Sequence, residues 1–244
     1  MPARKYRWKR FWVPREGNIR LSDDGFLSDP ETEWGKILNP DAVPFAEIDK
    51  FPCLILLGEP GIGKSTAIED EFDTIRTAIA AGGGRILKLN LNEYSSDARL
   101  AEELFNSEPV QAWKTDDYTL HVFLDSYDEC RLTVKNLTPM IIRGLQNWPI
   151  DRLCLRIACR TAVWPESLEN GLKQLWDENQ VRIYELAPLR RVDVEEAARE
   201  ERIDSGPFLE DVDRLINQEC ESGQRPPAAA VFSPGRAGHT VLWW

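Results

Sequence analysis

The chain has 244 residues, of which 42% are hydrophobic and 29% charged, and a formal net charge of -11. A chain of this length can bury one substantial core with at most a small appendage, and its balance of residue types is that of a soluble globular protein rather than a disordered one. The negative charge argues against generic attraction to a nucleic-acid backbone, and no apolar run reaches membrane-spanning length, so nucleic acid and membrane are not expected partners.

The start, Met1-Pro2-Ala3-Arg4-Lys5, opens no apolar signal segment, and the expected location is cytoplasmic. Residues 1 to 20 carry seven Arg or Lys against the single acid Glu16, interleaved with Tyr6, Trp8, Phe11 and Trp12. Two readings are open. The segment is either a basic docking surface or, as the plainer expectation, an arm whose aromatics pack on the domain while its cations face water. Residues 21 to 50 are rich in turn formers, including Ser22-Asp23-Asp24-Gly25, Asp29-Pro30 and Asn39-Pro40, and read as an irregular lead-in. Residues 1–50 together are therefore expected to precede the core as arm and lead-in.

The core is expected over residues 51–222. Cys53 to Leu57 is an apolar run that predicts a strand, and Gly63 to about Ala81 predicts a helix stopped by Gly82-Gly83-Gly84. Arg85 to Leu91 predicts a second strand. Ala98 to Phe105 follows as a helix with capping groups in Ser95-Ser96-Asp97. A short strand, His121 to Leu124, ends in Asp125. Leu137 to Trp148 suits a helix, Leu153 to Ala158 a buried strand, Pro165 to Trp176 a helix and Val181 to Leu186 a fifth strand. Helical candidates at Val192 to Ile203 and Pro207 to Ile216 close the series. Alternating strands and helices predict an α/β fold of three layers, with a mostly parallel five-stranded sheet covered on both faces.

After about Glu221 the composition changes, through Gly223-Gln224-Arg225-Pro226-Pro227 and Ser233-Pro234-Gly235, and residues 223–244 read as a disordered or improperly terminated tail. Five cysteines, Cys53, Cys130, Cys154, Cys159 and Cys220, include no C-x-x-C pair and read as small core residues. His121 and His239 are the only histidines, a poor basis for a zinc site.

Directly after the first strand stands Gly58-Glu59-Pro60-Gly61-Ile62-Gly63-Lys64-Ser65-Thr66, a complete G-x-x-x-x-G-K-[ST] phosphate loop. Its glycines let the backbone curl around an anion so that several N–H groups converge on phosphates. Lys64 supplies a point charge, Ser65 can place its hydroxyl on Mg2+, and the helix that follows directs its positive end at the same phosphates. Such a loop needs a carboxylate at the end of a neighbouring strand to hold the hydrated metal, and Asp125 fits. Asp128 and Glu129, just beyond, could orient or polarise an attacking water, and the sequence does not choose between them. Arg160 follows the apolar run Leu153 to Cys159, where a guanidinium at a strand's carboxyl end could sense a γ-phosphate or form a surface salt bridge. Arg190 and Arg191 are less specific and are expected in a solvated turn.

Three segments together resemble the NACHT group of STAND-class signalling NTPases, particularly the bacterial proteins of antiphage defence. Gly58 to Thr66 matches the group's first motif, and Phe123-Leu124-Asp125-Ser126-Tyr127-Asp128-Glu129 matches its extended second motif, with Ser126 at the usual small residue. Cys159-Arg160-Thr161 resembles its strand-end arginine motif. Covering about residues 28 to 220, the resemblance implies binding of ATP, with GTP as the other candidate, slow Mg2+-dependent hydrolysis used as a switch, and nucleotide-dependent self-association. It also implies the strand order 5-1-4-3-2. Full members continue into a helical lid and a sensor that cannot fit in residues 223 to 244, so a missing sensor or effector partner is implied, and a truncated gene product is one expectation. The alternatives are a non-hydrolysing nucleotide-binding or assembly module and another P-loop phosphotransferase.

Overall fold

The computed structural model describes residues 8–22, 25–82, 84–200, 230–232 and 241–243. Two compact units emerge from its contacts, Ile48–Gly58 with Lys64–Glu185, and Met1–Glu47 with Glu59–Gly63 and Leu186–Trp244.

The first of these holds five parallel strands, β3 (Cys53–Leu57), β4 (Arg85–Asn90), β5 (Leu120–Asp125), β6 (Leu153–Cys159) and β7 (Val181–Leu186). β3 pairs with β6 and with β7, β6 with β5, and β5 with β4. All five side chains of β3 are buried, as a central strand covered on both faces requires. On one face Cys53, Ile55, Leu57, Val122, Leu124, Leu155 and Ile157 share a core with Leu100, Leu104, Val110, Trp113, Leu137, Ile141, Leu168 and Leu172. These last come from α4 (Asp97–Phe105), α5 (Glu108–Thr115), α7 (Leu137–Leu145) and α8 (Glu166–Leu175). Each such side chain contributes about 1.5–3 kcal/mol by leaving water. The opposite face carries Leu54, Leu56, Phe123 and Arg156, and α3 (Lys64–Gly82) meets it edge-to-face through Phe72 on Phe123, ring centroids 5.6 Å apart.

Local chemistry accounts for the helix boundaries. Ser96 caps α4 by accepting from the Arg99 amide, and α5 carries Pro109 in its first turn, where a missing N–H costs nothing. Neither α5 nor the short helix α6 (Tyr127–Thr133) is expected from periodicity. A single helix turn, α9 (Asp177–Gln180), leads into β7.

The second unit corrects the expectation of an irregular lead-in over residues 21 to 50. It contains β1 (Phe11–Pro14) antiparallel to β2 (Val43–Pro44), and the short helices α1 (Glu33–Leu38) and α2 (Phe45–Ile48), the latter ending at the boundary between the units. Thr32 caps α1 by accepting from the Gly35 amide, and buried Asn39 joins Arg20 and Ser28 through its side-chain amide. Phe11, Val13, Leu27, Ala42 and Ala187 form a small core, with Trp12 fully buried against Phe45. The arm's aromatics at 11 and 12 thus pack inward. α10 (Arg191–Glu200) follows, and Arg190 before it corrects another expectation: its guanidinium grips both carboxylate oxygens of Asp193 at 2.6 and 2.8 Å and reaches Asp29 at 3.0 Å, far from a solvated turn.

The sheet is mixed and has seven strands in the order β2-β1-β7-β3-β6-β5-β4, so its count and full order depart from the expected five strands because β1 and β2 are added, while the five parallel strands run 5-1-4-3-2 among themselves. The additional strands come from segments whose two- to four-residue length, each closed by a proline, leaves no alternation to read in sequence. In the tail, Ala230–Phe232 pairs antiparallel with Val241–Trp243. The helical candidate at 207 to 216, the end of that at 192 to 203, Cys220 and His239 lie outside the described residues. Among the described residues no helix is long and apolar enough to cross a membrane. Cys53, Cys130, Cys154 and Cys159 are free, three of them buried, as expected of core residues.

Candidate functional site

Parallel pairing in register sets where the chemistry can gather. Leu57 stands opposite Cys159 and Glu185, and Asn90 opposite Asp125, so the carboxyl ends of these strands lie in line. Ligands of open α/β sheets bind at this end. The segments leaving it are the phosphate loop after β3, the acids after β5 and Arg160 after β6.

In the loop Gly61 and Gly63 adopt φ of 76° and 86°, a left-handed backbone that side chains resist and glycine takes without strain. Gly58 is buried at the strand end, Glu59 and Pro60 are exposed, and the Ile62 side chain is buried at 4% exposure. The Ile62 amide donates to the Glu59 carbonyl at 3.4 Å, closing the turn. Lys64 is the first residue of the 19-residue helix α3, with Ser65 and Thr66 exposed in the same turn. The N–H groups that a helix leaves unpaired in its first turn are therefore at the loop.

Lys64 is half-buried, and desolvation lowers its pKa below the usual lysine value, opposed by the carboxylates of Asp128 and Asp125. The Lys64 ammonium thus has two acids in its field. Asp125 ends β5, buried at 8% exposure, with one carboxylate oxygen accepting from the Ser126 amide at 2.8 Å. Ser126 takes φ 60°, ψ 40°, a left-handed turn that redirects the chain from β5 into α6. Glycine takes that conformation without strain and serine does not.

Asp128 and Glu129 fall in the first turn of α6. Asp128 accepts from the Arg160 amide at 3.2 Å and from its guanidinium at 2.9 Å, while Glu129 lies 3.4 Å from the same guanidinium. The structure therefore brings Asp128, Glu129 and Arg160 together. Of the two roles open to Arg160, the ion pair is the one formed here, with its side chain 45% exposed. Glu129 also accepts from the side-chain amide of Asn92 at 3.2 Å. Asn92 follows β4 in a single 3-10 turn, Leu91–Glu93, and nothing in sequence spacing singles it out. Burial pushes the neighbouring Cys159 thiol up to about 12, so it is a core thiol and no nucleophile.

A Mg2+ ion in such a site takes most of its oxygens from phosphate and water. Among the described residues no group of three His, Cys, Asp or Glu side chains could hold a metal by itself.

No family model and no curated protein matches the chain. Among solved structures it is similar to that of C. elegans PCH-2, at 14% identity and TM-score 0.38 over 59% of this chain and 37% of that one. It is also similar to the Walker-type ATPase paby2304 of Pyrococcus abyssi, at 14% identity and TM-score 0.39 over 78% and 62%. The chain thus spans less than two thirds of either protein, and likenesses at these TM-scores carry no argument about function. What the chain itself carries is a phosphate loop leaving a parallel strand of a mixed, mostly parallel α/β sheet, with acids leaving a second strand of that sheet.

Proposed function

We propose that the protein binds a nucleoside triphosphate, ATP in preference to GTP, with Mg2+, and hydrolyses it slowly as a signalling switch of the NACHT, STAND-class kind. The observation that carries this reading is the loop's left-handed Gly61 and Gly63 running into the first turn of α3, where Lys64 lies in the field of Asp125 and Asp128. Loop amides and Lys64 bind the phosphates. Ser65 and Asp125 would hold Mg2+, which when bound neutralises charge on the phosphate oxygens. Asp128 or Glu129 accepts a hydrogen bond from water as its oxygen attacks the γ-phosphorus; the bond to the β–γ bridging oxygen breaks, and ADP and phosphate leave. Arg160, once released from the acids, supplies positive charge to the transferring group.

The role in antiphage defence, the self-association and a sensor or effector partner rest on the sequence resemblance alone and belong to this proposal. Calorimetry tests its base: wild-type protein should bind Mg-ATP, and Lys64→Ala should weaken binding at least tenfold. No affinity at millimolar Mg-ATP or Mg-GTP in folded protein would end the nucleotide reading. In a phosphate-release assay, undiminished turnover by Asp125→Ala would remove its metal role.

One observation favours a second reading, nucleotide binding without turnover. Arg160 engages Asp128 and Glu129 together, and a carboxylate held by a guanidinium is a poorer acceptor for water. Tight binding with no phosphate release, accompanied by a change in sedimentation coefficient, would select it. Transfer of labelled γ-phosphate to an acceptor would instead mark a phosphotransferase.

A further inference from the structure

The phosphate loop has a neighbour that the motif does not contain. Arg10, immediately before β1, sends one guanidinium nitrogen to the Ile62 carbonyl at 2.9 Å and the other to the Ala187 carbonyl at 2.9 Å. The nitrogen that donates to Ile62, Nη1, lies so close to the loop that a Cβ on Gly63 would meet it at 3.0 Å. Residues 10, 59–63 and 187 belong to one compact unit. Among the described residues no carboxylate accepts a hydrogen bond from this guanidinium. Asp193 supports its charge only through space, and the Nε atom is buried without a partner. Leaving a buried donor unsatisfied is expensive, and two backbone carbonyls alone are a modest return for a buried charge. The location of that charge against the loop is the feature that demands an account.

The planar trans peptide supplies one. In the Ile62–Gly63 unit the carbonyl and the Gly63 N–H point in opposite directions. A group that holds the Ile62 oxygen toward β1 therefore turns the Gly63 N–H the other way. It also keeps a carbonyl dipole from rotating into a place where phosphate oxygens must come. A flip of this peptide turns ψ of Ile62 and φ of Gly63, and Gly63, at φ 86°, is a glycine to which φ of either sign is accessible.

We propose that Arg10 is a positioning residue for the phosphate loop, tying the Ile62 carbonyl to the Ala187 carbonyl so that the Gly63 amide is presented to an incoming phosphate. The proposal rests on the nucleotide reading for its ligand, but its structural half, the restraint on the loop, does not. Because Ala187 directly follows β7, the tie also carries any shift of residues 187–189 to the loop backbone.

The test uses the full chain, with amide hydrogen exchange of residues 61–64 in the nucleotide-free protein and calorimetry with Mg-ATP. Arg10→Met keeps the side chain's bulk and removes both donors. Its loop amides should exchange at least tenfold faster, and its Kd for Mg-ATP should rise about tenfold, the worth of one charge-assisted bond. Arg190→Lys, which loosens the Asp193 and Asp29 contacts of the same unit without touching the loop, should leave both readouts unchanged. Should Arg10→Met fail to fold, Arg10→Lys replaces it, since an ammonium cannot span both carbonyls in the fork geometry. Wild-type exchange in the Arg10 variants, or equal acceleration by Arg190→Lys, would overturn the restraint. Faster exchange with an unchanged Kd would overturn its role in presenting the amide. If wild-type protein binds no Mg-ATP, the nucleotide reading falls, and the exchange result still decides whether Arg10 holds the loop.

Discussion

Asp128→Asn should cost about 1–2 kcal/mol of stability before any nucleotide is added. The carboxylate accepts twice from Arg160, from the amide at 3.2 Å and from Nε at 2.9 Å, with the Asp128 side chain only 8% exposed. An asparagine of the same shape has one oxygen. It can accept from the amide or from the guanidinium, and its NH2 group must then face the other donor. The guanidinium itself is 45% exposed, so solvent screening holds the Coulomb part of the pair to the range of surface bridges, at most about 1 kcal/mol. The misdirected donor supplies the remainder. Lys64 also loses one of the two carboxylates that oppose its desolvation. Urea unfolding of nucleotide-free protein should show the midpoint falling by roughly 0.5 M, for a slope of about 2–3 kcal/mol/M. Because part of the loss is Coulombic, the gap between wild type and variant should narrow in 1 M salt. A midpoint identical to wild type at low salt would mean that Arg160 does not hold Asp128 in solution, and the arrangement of the three charged groups derived above would be wrong.

Ser126→Gly should raise stability by up to about 1 kcal/mol, because the left-handed backbone at φ 60° strains serine and not glycine, less glycine's larger loss of chain freedom; thermal unfolding checks it, and a loss would contradict the turn. Gly144→Ala should destabilise by about 1–3 kcal/mol, since the added Cβ would lie 2.2 Å from the Phe105 ring between α7 and α4, and an unchanged midpoint would show that these helices are not packed as described. Glu71, on α3, has its carboxyl raised to about 7 by burial, with Asp70 and Asp49 adding to the shift. A folded pKa above the unfolded value means that the native state binds more protons between about pH 4.5 and 7, so this group's contribution falls as pH rises through that window. Glu71→Gln should therefore stabilise the protein at pH 8 by on the order of 1 kcal/mol and do little at pH 4, as read from paired melting curves; equal effects at both values would refute the assignment.

Much of the architecture is legible in one dimension. Runs such as Cys53 to Leu57 and, but for Arg156, Leu153 to Cys159 are apolar without alternation because strands covered on both faces have no polar side to show, and all but one of their residues are buried. The phosphate loop is legible for a similar reason, since its glycines and lysine answer local backbone demands that hold wherever the loop is placed, and Gly61 and Gly63 do take positive φ. Asp125, Asp128 and Glu129 could be picked out because they follow a strand within a few residues.

Contacts between residues remote in the chain were decided only by tertiary structure. Arg156 reads as a charge inside a buried strand, and only folding shows its guanidinium reaching the carbonyls of Asp49 and Pro52, more than a hundred residues earlier. Arg190 reads as a solvated turn until Asp29 is brought to it, and Arg160 reads as phosphate sensor, with a salt bridge as the competing role, until Asp128 and Glu129 meet it. Asn92 and Arg10 carry no signal in sequence at all, because what distinguishes them is the carboxylate or carbonyl they face. Sequence by itself determined the groups whose chemistry depends on backbone conformation and nearest neighbours, the loop, the parallel strands and the acids at their ends. Tertiary structure decided which charges are paired and which segments of the arm become strands, since a hydrogen bond or an ion pair depends on a few ångströms of separation that no spacing along the chain specifies.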